Sequence, residues 1–273
     1  MKILITGCNG YIGLHLCKLL KTHELHGIDL QENCISEYVT KYYSIDIREN
    51  FYLKETYDVV IHLAALVRVG ESVKEPTKYY QTNIVGTNNT LEGINFKEFI
   101  FGSTGAAATP TSPYAISKLV AEEYIEEYCK NNNIPFTMFR FYNVTGTDGY
   151  RATNPDGLFY KLVEAIETGE FNIYGHDYDT EDGTAIRDYV HVNEICTSIT
   201  KSINNQSNQI ENLGHGKGYS VKTIVDTFKK VNCVDFKVNL AHRREGDPER
   251  TILDNVSKFM IELYSLEDYL KIN

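Results

Sequence analysis

The sequence predicts an α/β protein: a doubly wound parallel sheet in the first half, followed by a smaller mixed α+β domain. Three observations carry this. Short apolar runs alternate with stretches whose apolar residues recur at helical spacing, a glycine-rich turn follows directly on the first run, and beyond about Val144 the chain turns to Gly, Asp, Asn and Pro with only short apolar pieces. Such alternation reads as βαβ units, whose crossovers lay helices on both faces of a parallel sheet.

Strands are expected at Lys2–Thr6, Leu25–Asp29, Tyr42–Ile45, Tyr57–Leu63, Glu98–Ser103 and Phe136–Phe141. Between them, Tyr11–Lys21, Thr77–Glu92 and Pro113–Lys130 carry helical periodicity, and Pro113 suits a first helical turn. The division is placed after residue 144, giving domains 1–144 and 145–273, with an exchange of segments between them left open. The second domain has short apolar pieces at Phe171–Tyr174, Ile186–His191 and Gln209–Leu213, and the polar run Asn204–Asn208 reads as a solvated turn.

With 273 residues, 42% of them apolar, the chain can bury one large core or two modest ones without covalent staples. A net charge of -10 argues against a nucleic-acid or acidic-membrane surface, so any phosphate-bearing ligand must be met by local groups. Cys8, Cys17, Cys34, Cys129, Cys196 and Cys233 form neither a CxxC nor a spaced Cys/His set, which predicts reduced, mostly core thiols and no metal site. Met1–Thr6 is too short for a signal segment and no later run approaches a membrane span, so a cytoplasmic location is expected.

Gly7, Gly10 and Gly13 follow the first strand and open a helix at Tyr11 and Ile12, the context in which such a fingerprint binds a dinucleotide on a Rossmann fold. Glycines allow a tight turn and close backbone approach, so the N–H groups of the helix N-terminus can face a pyrophosphate. Asp29 ends the second strand, where a carboxylate accepts from ribose hydroxyls and repels a 2′-phosphate, favouring NAD over NADP. The plainer reading is glycines kept for close packing alone.

Tyr114 and Lys118 stand four residues apart on one face of the helix that starts at Pro113. A phenol with an ordinary pKa near 10 acts as a base at neutral pH only beside positive charge, which Lys118 and an oxidised nicotinamide both provide. Ser103 and Thr104 lie at the carboxyl end of their strand, the edge where open sheets bind ligands. Against this stand a Tyr packed on a Lys stem and a simple turn hydroxyl, and the chain has 20 tyrosines.

Together, TGCNGYIG, HLAAL from His62, Thr82-Asn83, FGST, YAISK and FRFYN ending at Asn143 resemble the extended short-chain dehydrogenase/reductase superfamily. The stretch Tyr174–Thr184 with Arg187–Val192, and Arg243-Arg244-Glu245-Gly246-Asp247 near the C-terminus, resemble the UDP-glucose 4-epimerase family, so the likeness runs from residue 3 to about 260. The resemblance implies NAD as cofactor, a UDP-sugar as substrate, and a homodimer formed through the helices Thr77–Glu92 and Pro113–Lys130. It sets Asp46 and Ile47 beside the adenine, and Leu63, Ala64, Ala65, Asn83, Ser103, Phe141 and Lys118 around the ribose and nicotinamide. It makes Tyr114 the base with Thr104 and Lys118 as catalytic partners, Thr104 also touching substrate. Asn143 and Arg187 are implied at the sugar diphosphate, Tyr174 at the uracil face, and Arg244 with Asp247 at the uridine end.

After Thr104 come Gly105, Ala106, Ala107 and Ala108, without the acidic pair of related dehydratases or the Glu of related decarboxylases, which leaves epimerisation. The chain departs from the family pattern in its short Thr104–Tyr114 loop, in Val67-Arg68 where a Lys is usual, and in Asp156-Gly157 where two Asn are usual. Thr251 is small where the sugar C2 substituent is expected, which motivates a capacity for N-acetylhexosamines. Three alternatives stay open: an epimerase or reductase for another nucleotide sugar, a silent NAD-binding protein, and an NADP-linked ketoreductase, the last disfavoured by Asp29.

Overall fold

A computed structural model describes residues 1–244 and 247–272. The first stretch runs β1 (Lys2–Thr6), α1 (Tyr11–Leu19), β2 (Glu24–Asp29), β3 (Lys41–Ser44), β4 (Thr56–Tyr57), β5 (Val59–His62), α2 (Val69–Lys74), α3 (Pro76–Tyr80), a π-helical turn (Gln81–Val85), α4 (Gly86–Gly93), β6 (Asn95–Phe96), β7 (Phe99–Thr104), a 3₁₀ turn (Gly105–Ala108), α5 (Pro113–Asn131) and β8 (Phe136–Phe141). The remainder runs β9 (Asn143–Thr145), α6 (Leu158–Thr168), β10 (Glu170–Tyr174), β11 (Ile186–His191), α7 (Val192–Ser202), β12 (Gln209–Leu213), β13 (Gly218–Ser220), α8 (Val221–Asn232), β14 (Lys237–Ala241), β15 (Arg250–Thr251) and α9 (Leu266–Tyr269).

The chain divides into two compact units, Met1–Phe141 with Cys196–Glu211, and Tyr142–Ile195 with Asn212–Asn273. In the first, strands lie in the order β12-β8-β7-β5-β1-β2-β3. The ladders from β8 through to β3 are parallel. From β1 the chain steps outward to β2 and β3, then returns to the other side for β5, β7 and β8. The switch lies between β1 and β5, and the crevice outside the strand carboxyl ends at such a switch is where open sheets take ligands. Helices cover both faces, so β5 is buried at all four positions and β1 at all but Lys2. Leu4, Val60, Phe99, Phe101, Leu91, Ile125 and Met138 form the core.

Several expected elements differ in detail. The helix expected over Thr77–Glu92 is interrupted at Gln81–Val85 by the wider π turn, at the point where Asn83 reaches out to the backbone of Leu66. Tyr57 belongs to β4, which pairs with β6 outside the main sheet, and Thr104 is the last residue of β7 rather than the first of the turn. The run Asn204–Asn208 is tied down: Asn204 N donates to the Glu98 carboxylate and Asn208 Oδ1 accepts from Phe136 N. Four of the six free thiols are buried, whereas Cys34 is half-buried and Cys233 exposed.

In the second unit β13, β11 and β15 form a small sheet with β9 along β11. Strand β10 pairs in parallel with β14. Phe159, Leu162, Phe171, Tyr189, Phe228 and Tyr269 pack into its core.

The glycine turn is fixed by backbone contact. Gly7 has φ +71°, and a Cβ on Gly13 would sit 2.2 Å from Gly7 O and 2.9 Å from Cys8 Cα. Gly13→Ala should therefore lower stability by more than about 3 kcal/mol, whereas Gly70→Ala, in open space within α2, should raise it by roughly 0.5–1 kcal/mol. Thermal unfolding of the two variants should displace Tm in opposite directions, and a Gly13→Ala protein as stable as the native one would contradict the close approach.

Candidate active site

The glycine turn runs directly into the N-terminus of α1. Gly10 caps α1 without a side chain, and no acidic residue occupies the first turn. Asn9 and Gln31 N–H groups hold the Asp29 carboxylate at the end of β2 (3.1 and 3.3 Å). Each of its oxygens keeps a lone pair for further donors. These features fit a dinucleotide: donors and a helix dipole for a pyrophosphate, and a fixed acceptor for ribose hydroxyls.

Beside this turn, β5 and β7 deliver the next groups. His62 is fully buried and lies between Thr6 Oγ1 (2.7 Å from Nδ1) and Thr87 Oγ1 (3.0 Å from Nε2). Thr87 donates its one proton to Asn83 O (2.7 Å), so it must accept from Nε2–H, and Nδ1 in turn accepts from Thr6. Burial, with Lys118 adding to the effect, pushes the ring down to about 3, so it is neutral at pH 7 and Nδ1 is left as the acceptor. Asn83 is fully used: its amide donates to Leu66 O and Ser117 Oγ (both 2.9 Å) and accepts from Leu66 N (2.8 Å).

Helix α5 carries the reactive pair. Ser112 caps it by accepting from Ala115 N (3.2 Å), and Pro113 fills the first turn. Tyr114 is 9% exposed and Lys118 only 3%. Burial pushes the Tyr114 phenol up to about 12, partly opposed by the hydroxyl of Thr104 beside it. Burial pushes Lys118 down to about 7, opposed by the carboxylate of Glu122. The Lys118 ammonium sits over the face of Phe101, 3.9 Å from the ring centroid, a cation–π contact that replaces some of its lost hydration.

Two residues not singled out from the sequence complete the set. Glu122, 2% exposed, lies one turn beyond Lys118, and Arg140 of β8 forks onto it with Nε–H donors at 3.0 and 3.2 Å and a terminal nitrogen at 2.6 Å. Ser103 Oγ donates to the same carboxylate, which leaves only its lone pairs for any other partner. A Glu on the buried face of a helix and an Arg inside the apolar run of β8 were the signals available.

Other expected cofactor residues fall less directly. Leu63, Ala64 and Ala65 follow β5 and are half-buried, with Ala64 N donating to Thr6 Oγ1 (3.2 Å). Phe141 ends β8, and a Cβ on Gly102 would touch its ring at 3.0 Å. Asp46 is engaged by Arg48 (2.9 and 3.0 Å), while the Ile47 side chain is buried against Gly86 and its carbonyl accepts from Asn89 (2.9 Å). Tyr11 and Ile12 lie in the first turn of α1.

Within the second unit, Arg187 of β11 donates to Ile186 O (2.8 Å), Glu249 O (3.2 Å) and the Asp247 carboxylate (2.5 Å). Arg244 lies 4.1 Å over the ring of Tyr174, and Asp247 N donates to Arg244 O (3.2 Å). Asn143 Nδ2 donates to Asp188 O (2.9 Å). These expected substrate residues thus form two linked pairs and one backbone-bound amide; Glu245 and Gly246 of the same motif lie outside the described residues.

The buried lysine has a measurable consequence. Its amine binds a proton less readily folded than unfolded, so its burial costs most at and below pH 7 and the cost vanishes as pH rises past 10. Lys118→Met should therefore unfold several degrees higher than the native protein near pH 6–7, with the gap closing towards pH 10. Equal Tm values across that range would mean that the charge is solvated after all.

Comparison with known proteins agrees with this geometry. A model of the NAD dependent epimerase/dehydratase family matches residues 3–214. The UDP-glucose 4-epimerase of Erwinia amylovora is 33% identical, the match covering 90% of this chain and 88% of that one. Among solved structures, the UDP-Glc/GlcNAc 4-epimerase of Campylobacter jejuni has a TM-score of 0.79 at 32% identity, covering 97% of this chain and 95% of its own. The Bifidobacterium longum UDP-glucose 4-epimerase, solved in complex with NAD+ and UDP, has a TM-score of 0.85 at 26% identity over 99% and 96%. With the glycine turn, Asp29 and the buried Tyr114–Lys118 pair on one sheet edge, and a family model matched over most of its length, the chain belongs to the NAD dependent epimerase/dehydratase family.

Proposed function

We propose that this chain is an NAD-dependent 4-epimerase of UDP-hexoses, interconverting UDP-glucose and UDP-galactose and also accepting the N-acetylhexosamines. The observation that carries this reading is the burial of Tyr114 and Lys118 together, with the Thr104 hydroxyl at the phenol, next to a loop of alanines that offers no second acid or base. Reactions that eliminate or decarboxylate need such a group; removal and return of a hydride at one carbon does not.

On this reading Gly7, Gly10, Tyr11, Ile12 and Gly13 hold the cofactor pyrophosphate and Asp29 its ribose, with Asp46 and Ile47 near the adenine. Leu63, Ala64, Ala65, Asn83, Ser103 and Phe141 frame the nicotinamide end. When bound, NAD supplies the hydride acceptor at the sugar C4 and later the hydride donor to the opposite face. Tyr114 Oη takes the C4 hydroxyl proton and returns it, and Thr104 hydrogen-bonds the same oxygen. Burial pushes the phenol up to about 12, and a positive charge at Lys118 favours its ionised form. Arg187 and Asn143 serve the diphosphate, Tyr174 the uracil, and Arg244 and Asp247 the uridine end; a guanidinium fork suits phosphate oxygens. The first unit is then the NAD-binding domain and the second the nucleotide-sugar-binding domain.

No helix among the described residues is long and apolar enough to cross a membrane. We place the enzyme in the cytoplasm, where free thiols such as its six persist. We also infer a homodimer through α3–α4 and α5, supported by Val85 and Ile116, which are 45% and 40% exposed on those segments. Light scattering at micromolar concentration should give twice 31.1 kDa; a monomer would reject this arrangement.

The direct test is to incubate purified protein with UDP-galactose, and separately with UDP-GlcNAc, without added cofactor, following the anomeric and H4 signals by NMR. The 4-epimer should appear with both, and Tyr114→Phe should slow its formation by about 10²–10⁴-fold. Conversion of UDP-galactose alone would remove the N-acetylated sugars. Conversion of neither would overturn the epimerase reading.

A further inference from the structure

Glu122 is a buried carboxylate that the chemistry above does not use. It touches three elements: α5, which carries it, β7 through Ser103, and β8 through the Arg140 fork. A fully buried carboxylate is costly unless paired and hydrogen-bonded, and here both conditions are met. Paired with Arg140 at one edge, it stands a single helical turn from Lys118, whose ammonium rests on the ring of Phe101.

We infer that Glu122 is a positioning residue for the Tyr114–Lys118 pair: held in place by Arg140 and Ser103, its negative charge keeps the Lys118 amine protonated in an otherwise apolar pocket. This rests on the epimerase reading only for its catalytic consequence. The groups that face Lys118 leave Glu122 as the source of that field. On its own helix are the phenol of Tyr114 and Glu122; from β5 comes His62, held neutral between two threonines; from β7 comes the apolar face of Phe101. The π turn contributes Asn83, a neutral amide bonded to Ser117 of the same helix, and Arg140 of β8 is paired to Glu122. With burial lowering it and the Glu122 carboxylate raising it, the amine stands at about 7, so a small change in that field decides whether it is charged at neutral pH. A neutral Lys118 would offer the Tyr114 phenol, which burial pushes up, no positive charge to favour its ionised form.

The test titrates ¹⁵N-lysine-labelled protein by NMR in the absence of nucleotide sugar, with Lys118→Met to assign the resonance. Glu122→Gln should lower the Lys118 midpoint by about one unit or more, and Glu122→Asp, which keeps the charge, should restore most of it. Arg140→Met should move it the other way, because the carboxylate is then less compensated. At pH 7.5 the Glu122→Gln enzyme should lose about tenfold or more in kcat for UDP-galactose with KM little changed. A purely structural ion pair would instead lower Tm in both Glu122→Gln and Arg140→Met and leave the midpoint where it was, which overturns the inference. If Glu122→Gln alone does not fold, the double variant Glu122→Gln with Arg140→Met, which leaves no buried charge unpaired, decides: a lowered Lys118 midpoint supports the role and an unchanged one rejects it. The midpoint is read without turnover, so a native protein inactive on UDP-galactose would sink the epimerase reading and leave this test standing.

Discussion

The constraint on which the first unit turns is the burial of one ammonium. Lys118 is 3% exposed, and transferring such a charge out of water is tolerable only where the surroundings replace hydration or shift the proton equilibrium. The neighbourhood answers that demand with an aromatic face at 3.9 Å and a neutralised histidine. A lysine kept this dry has its proton affinity lowered by burial, which makes it sensitive to small fields. Its stability cost and its chemical use have the same cause, a trade commonly found at reactive sites.

A continuous hydrogen-bond path links the glycine turn to that pair. Thr6 donates to His62, His62 to Thr87, and Thr87 to the carbonyl of Asn83. The Asn83 amide reaches Ser117, which donates to the carbonyl of Tyr114. The hydroxyl and ring donors of the path each have their single proton committed, and both protons of the Asn83 amide are used, so the array has one low-energy arrangement and fixes where α5 stands against β1 and β5. The π turn at Gln81–Val85 belongs to this path, since it presents Asn83 to both Leu66 and Ser117. Positioning of this kind is what a reaction with little covalent work requires of its scaffold.

The parts legible in the sequence were those whose signal is local. The glycine spacing, the strand-ending Asp29 and the four-residue step from Tyr114 to Lys118 could be read because turn, strand end and helix face each follow from a few adjacent residues. The π turn, the Glu122–Arg140 pair and the return of Cys196–Glu211 to the first unit depend on contacts between residues far apart in the chain. Arg140 pairs across 18 residues, and Asn204 answers Glu98 across 106; no local period encodes either. The packing of the Ile47 side chain against Gly86 is likewise a contact between residues far apart in the chain.

The second unit uses buried carboxylates in another way. Asp188, fully buried, accepts backbone N–H groups from His215, Gly216 and Leu253. Glu194, equally buried, accepts from those of His191, Leu263 and Tyr264 and bonds the ring of His215. These loops are thus organised around anions rather than apolar packing, and charge-assisted bonds to several amides are strong and directional. Because side chains alternate along a strand, anchoring Asp188 on one face of β11 aims Arg187 from the other. There it is held by two carbonyls and Asp247, which use only part of its five-donor fork. A chain of net charge -10 can therefore still offer an anion a pre-aimed guanidinium, and the acidic surface costs little because the attraction is delivered at contact distance rather than by a long-range field.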